Sequence, residues 1–122
     1  METRPTDIRE RTFQFGLEVI KSIEKIPHTQ TGNVIANQLI RSATSIGANA
    51  QEALSASSKA DFTYKTNIAL CEARETYYWL RLLKESGLTV DKGKDTLLQE
   101  ADEITRILGA IVSTARGKRK TL

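Results

Sequence analysis

Residues 97–115 read LLQEADEITRILGAIVSTA. Leu97, Ala101, Ile104, Leu108, Ile111 and Ala115 alternate steps of four and three, the seven-residue pattern of helices that pack at shallow angles. A helix from about Asp91 to Ala115 needs apolar neighbours for that stripe, and the rest of the chain supplies three more helices. No stretch alternates apolar and polar residues like a half-buried strand. No Asn-Gly or Asp-Gly turn joins β-branched runs. Only Pro5 and Pro27 are prolines, so long helices go uninterrupted.

Working back from residue 97, Gly87 stops a third helix. Its start is marked by Ser58 followed three residues later by Asp61, the spacing of an N-terminal cap. Between them Phe62, Thr66, Ala69, Ala73, Thr76, Leu80 and Leu83 make one face. Tyr64, Ile68, Cys71, Glu75, Tyr78 and Leu82 recur two positions later, roughly on the opposite face. A second helix is expected from Asn33 to Ala56, with two adjacent stripes: Ile35, Leu39, Ile46, Ala50 and Ala53, and Ala36, Ile40, Ala43, Gly47, Ala50 and Leu54. A glycine inside a helix costs about 1 kcal/mol relative to alanine, so Gly47 implies close approach of a neighbouring helix. A first helix from Asp7 to Ile26 carries Phe13, Gly16, Leu17, Ile20 and Ile23, ends at Pro27, and gives way to the turn PHTQTG. The whole reads as all-α: an antiparallel up-down-up-down four-helix bundle, one domain over residues 1–122 with a short basic tail at 116–122.

The two-faced third helix has two readings. Tyr64, Ile68, Tyr78, Trp79 and Leu82 either wrap the edge of a broad intrachain core or form an oligomer interface; a monomeric bundle needs one buried stripe per helix, which favours the interface.

Reactive groups that converge are scarce. His28 stands in the turn, solvated. Cys71 lies on an apolar stripe with no histidine or second thiol to activate it and reads as a buried structural cysteine. There is no phosphate-cradling glycine loop and no Ser/His/Asp set. Glu52, Glu72 and Glu75 are the strongest acidic group, but bundle di-metal sites use Glu-x-x-His pairs, and the third residue after Glu72 is Glu75. A structural polar set is the better reading, with Arg41 and Arg74 answering the glutamates and Ser45 and Asn49 alongside. No cofactor and no enzymatic activity are expected.

Charge is the more informative signal. Residues 1–115 hold 14 Lys and Arg against 15 Asp and Glu, and the net charge of +3 comes from Arg116, Lys118, Arg119 and Lys120. Such a cluster is either a solvated helix terminus or a phosphate-contacting tail, with Arg9 and Arg11 as possible additions. A single cysteine, no apolar run near the roughly 20 residues that cross a bilayer and no signal-like start point to the cytoplasm and away from membranes.

The segments RSATSIGAN (residues 41–49) and EARETYYWL (residues 72–80), with Gln38, Glu52 and Ser58-Lys-Ala-Asp61-Phe62 between and around them, resemble the bacterial four helix bundle protein family. That family includes proteins encoded in intervening sequences of 23S rRNA genes, also labelled S23 ribosomal proteins, and accessory variability proteins of diversity-generating retroelements. The similarity runs from about Phe13 to Ala115. It implies an antiparallel bundle assembling as a homopentamer, a non-enzymatic role, and for retroelement members association with nucleic acid and a reverse transcriptase. An oligomeric protein scaffold without nucleic-acid binding is the rival reading.

Overall fold

The computed structural model describes residues 7–89 and 91–117. Four helices occupy almost all of them: α1 (Ile8–Ser22), α2 (Gln30–Leu54), α3 (Lys59–Ser86) and α4 (Gly93–Ala115), with a 3-10 turn at Ile23–Lys25. Side-chain caps set three of the starts. Asp7 accepts from the Arg9 N–H at 2.9 Å, Thr29 from Gly32 at 3.0 Å and Ser58 from Asp61 at 3.0 Å. Each satisfies a backbone donor that the first helical turn leaves unpaired. Gly87 ends α3 in the left-handed region, at φ 70°.

The antiparallel order is visible in the partners across each seam, whose numbers rise on one helix as they fall on the next. On the α1–α2 seam the backbone of Thr12 lies against Gly47, and that of Ala43 against Gly16. Between α2 and α3, Glu52 pairs with Lys65 and Arg41 with Glu72 and Glu75. Between α3 and α4, Leu70 touches Gly109 and Lys84 pairs with Asp95. Between α4 and α1, Arg11 meets Glu100 and Lys25 meets Asp91. The helices therefore close a four-membered bundle in chain order.

The core is made of Val19 and Phe15 from α1, Leu39 and Ile46 from α2, Leu80 and Ala73 from α3, and Ile104 and Leu108 from α4, together with their neighbours. Three expected stripes shift. On α1, Thr12, Phe15, Gly16 and Val19 are buried, while Phe13 is 61% and Ile20 44% exposed. Gly16 is buried as expected, but the rest of the true stripe was masked by Thr12, whose hydroxyl donates to the Ile8 carbonyl at 2.7 Å. On α4, Val112 replaces Ile111, because a straight helix at 3.6 residues per turn drifts off a 3.5-residue repeat. On α2, the first stripe is buried throughout, but Leu54 of the second is exposed.

α2 also begins earlier than expected, at Gln30 instead of Asn33. The preceding turn folds over its first residues so closely that a Cβ on Gly32 would overlap the Pro27 carbonyl oxygen. A glycine that reads as a turn residue is thus inside the helix.

Candidate functional site

Arg41, in the middle of α2, spans the seam to α3. Its guanidinium pairs with Glu72 at 3.3 Å and with Glu75, and its Nε donates to Gln38 at 3.1 Å. Trp79, one turn beyond Glu75, donates its indole N–H to the same carboxylate at 3.0 Å. The indole hydrogen bond, with the guanidinium beside it, holds the Glu75 carboxyl below its ordinary range. Arg41 is itself pushed further toward its charged form by Glu75. Beneath this surface network the Thr76 hydroxyl donates to Ser42 at 2.8 Å, both fully buried. Asn49 donates to the Ser45 carbonyl at 2.9 Å within α2, and Glu52 accepts from Lys65 at 2.9 Å.

Glu52, Glu72 and Glu75 therefore each face a cation, and among the described residues no three His, Cys, Asp or Glu side chains gather to hold a metal ion. Arg74, which the sequence offered as a partner, is exposed on the solvent side of α3 and makes no ion pair among the described residues. The α2–α3 seam uses Lys65 in addition to Arg41. Sequence periodicity carries no sign of that pairing, because Glu52 and Lys65 lie on different helices across a tight loop.

Of the basic residues expected to meet phosphate, Arg11 is committed elsewhere. Its guanidinium grips Glu100 through two bonds of 2.8 and 2.7 Å and Glu103 through a third of 2.7 Å. Its side chain is 12% exposed and that of Glu100 3%. Arg11 is a bundle-closing residue and not a phosphate contact. Glu100 went unnoticed in the sequence, although it stands three residues after Leu97 and four before Ile104, on the buried stripe itself. Arg9 is exposed and pairs with Asp7 at 3.2 Å. Arg116 is exposed just past the end of α4, and Lys118, Arg119 and Lys120 lie outside the described residues. Antiparallel packing brings the first turn of α1, with Arg9, to the same end of the bundle as Arg116.

The outward face of α3 carries Tyr64 at 63%, Tyr78 at 55% and Leu82 at 36% exposure, with Ile68 half-buried. Trp79 departs from that stripe. It is half-buried, packs on the core from the α2 side and meets Tyr78 edge to face at 5.3 Å. Cys71 is exposed on the outward stripe, which corrects the expectation of a buried thiol; it sits two positions from Ala73, on the wrong side of the helix for the core. A second apolar surface was missed as such: Phe13, Leu17 and Ile20 edge a groove of about 360 Å³ floored by Thr44, Gly47 and Ala48.

The fold is shared with known proteins. The family model of the 23S rRNA-intervening sequence protein matches residues 4–110. The chain belongs to that family. A protein of unknown function from the S23 ribosomal protein family of Bacteroides thetaiotaomicron, solved at 1.70 Å, is 35% identical; the match covers 86% of this chain and 97% of that one at a TM-score of 0.78. No protein of curated function matches the chain. No helix among the described residues is long and apolar enough to cross a membrane.

Proposed function

We propose that this member of the 23S rRNA-intervening sequence family is a non-enzymatic, cytoplasmic accessory protein that assembles as a homo-oligomer and associates with the phosphate backbone of RNA or DNA. The observation that carries the nucleic-acid reading is the charge distribution. The excess cations of the chain fall in residues 116–120, immediately past α4, where Arg116 is exposed. Arg9 adds a further guanidinium at the same end, whereas Arg11 contributes none. Contacts of this kind position a protein on a polyanion without reading its sequence.

Removing residues 116–122 tests it. Gel-shift titrations of the intact and shortened chains at two salt concentrations are expected to show weaker binding of unrelated RNA and DNA sequences to a similar extent after truncation. For four phosphates neutralised on duplex, the log-log salt slope becomes shallower by about 3.6 per tail engaged. Equal binding by both chains would move the contact surface to the bundle.

A second reading, an oligomeric scaffold that binds a protein such as a reverse transcriptase, draws support from the exposed Tyr64, Tyr78 and Leu82 stripe. Absence of nucleic-acid binding by the intact protein at low salt would favour it.

A further inference from the structure

Two apolar surfaces of the bundle differ in shape. Between α1 and α2 runs a concave groove of about 360 Å³, with Phe13, Leu17 and Ile20 as one lip and Thr44, Gly47 and Ala48 as its floor. Along α3 runs a convex ridge of Tyr64, Cys71, Tyr78 and Leu82, all exposed. α3 lies diagonally across the bundle from α1, so groove and ridge belong to different sides of the molecule. The α2 wall of the groove is also almost free of charge. Residues 29–51 contain one charged side chain, Arg41, whereas 27% of the whole chain is charged. Arg41 is turned away to α3, where it meets Glu72 and Glu75. A helix face that stays in water ordinarily carries charge, and depletion of charge marks the centre of a protein interface.

Charge returns at the margins, with opposite signs on the two surfaces. Glu10 and Glu24 stand seven residues to either side of Leu17, along the outer lip of the groove; both are exposed, and neither pairs with a cation among the described residues. Arg74 and Arg81, seven residues apart along one edge of the ridge, are exposed and pair with no acid among the described residues. Lys21 joins the lip and Glu85 the ridge edge, again with opposite signs. We infer that the groove receives the α3 ridge of a second copy of this chain, so that subunits join head to tail. The ridge lies across α1 and α2 as ridges of side chains fill helix grooves. Its tyrosines supply broad apolar area above a floor of small residues, and Arg74 and Arg81 meet the acidic lip. Each copy that docks its ridge keeps its own groove open for the next. Such a contact repeats until the subunits close into a ring or run on as a filament. The inference rests on the homo-oligomer reading above and adds to it the surface that covers the α3 stripe.

The test uses two kinds of full-chain variant, weighed by light scattering at micromolar concentration. T44E/A48K puts two charges on the groove floor; both positions are exposed, and Glu four residues before Lys suits a helix. F13K, at an exposed position on the lip, is an independent groove variant. Y78E/L82K disables the ridge. The expected result is that all three fold, by circular dichroism melts, and weigh one chain mass where the parent is assembled. An equimolar mixture of T44E/A48K and Y78E/L82K is expected to weigh twice the chain mass and no more, because each pair of unlike variants retains a single intact groove and ridge. If both groove variants assemble as the parent does, the docking is overturned and the oligomer reading stands, with α3 ridges paired to each other. A mixture that stays at one chain mass, or that grows beyond two, overturns it as well. A monomeric parent overturns the oligomer reading and the docking with it, and leaves the groove to a partner of another sequence.

Discussion

The Arg11–Glu100 pair shows how one residue can be misjudged from charge alone and what that charge does instead. A carboxylate 3% exposed is tolerable only when its partner and hydrogen bonds replace water. Truncation of Arg11 to alanine removes the cation that answers this carboxylate and leaves Glu103, a second anion, in its neighbourhood, and is expected to cost about 3–5 kcal/mol in chemical denaturation. The double replacement R11M/E100M removes both charges and is expected to recover most of that loss, which a phosphate-contact role for Arg11 would not produce. Glu75 gives a prediction in pH. Its folded-state pKa lies below the ordinary 4.5, chiefly because the Trp79 indole N–H bonds the carboxylate, with Arg41 adding to the effect. The network's contribution is therefore complete above that ordinary value and is lost as pH falls through the lower folded one. Trp79 is the single tryptophan, so its fluorescence reports the seam directly. Acid titration is expected to show a transition below pH 4.5 in the parent that is flattened in E75Q; identical curves would dissociate Glu75 from the acid transition.

At the scale of the element, the sequence was most legible where a local signal was unambiguous. Ser58, Asp61 and Gly87 bounded α3, and both of its faces fell where the periodicity put them. It was least legible where small or polar residues occupy core positions. Thr12 hid the buried face of α1, Gly32 hid the first turn of α2, and Glu100 hid on the stripe of α4. The polar seam was legible as a set, since Arg41, Glu72 and Glu75 meet, but its exact pairing depends on loop geometry that no helical spacing encodes. Two glycines separate conformation from packing. Gly87 sits at φ 70° with no atom near the position of a Cβ, so G87A is expected to lose about 1 kcal/mol purely from backbone strain. At Gly47 a Cβ would rest 3.4 Å from the Thr12 carbonyl oxygen, an ordinary contact. G47A is thus expected to hold or raise the melting temperature through helix propensity, by up to about 1 kcal/mol, while G47L pries α1 from α2. A marked fall for G47A would show that the α1–α2 approach admits no methyl group.

For the whole molecule, what matters is which surfaces the bundle leaves uncovered. Ion pairs cross the α2–α3, α3–α4 and α4–α1 seams, backbone approach at Gly16 and Gly47 closes the α1–α2 seam, and apolar side chains from all four helices fill the core, yet α3 presents Tyr64, Tyr78 and Leu82 outward with Ile68 half-buried among them. An apolar strip of that kind suits the proposed homo-oligomer, which would bury it. Light scattering at micromolar concentration is expected to return a multiple of the 13.6 kDa chain mass. The variant Y78E/L82K leaves net charge unchanged and alters no residue with under a third of its surface exposed, so it is expected to dissociate the assembly while the bundle itself still melts cooperatively. That variant also separates assembly from charge. If several tails on one assembly engage a polyanion together, the second and later contacts become intramolecular, and affinity rises without any new contact. The dissociated variant carries the same tail, so it is expected to bind RNA with a shallower salt slope and lower affinity than the parent, approaching the value for a single tail. A parent protein that scatters as a monomer, or a variant whose salt slope equals the parent's, would mean that the tails act singly and that the α3 stripe serves a partner other than a second copy.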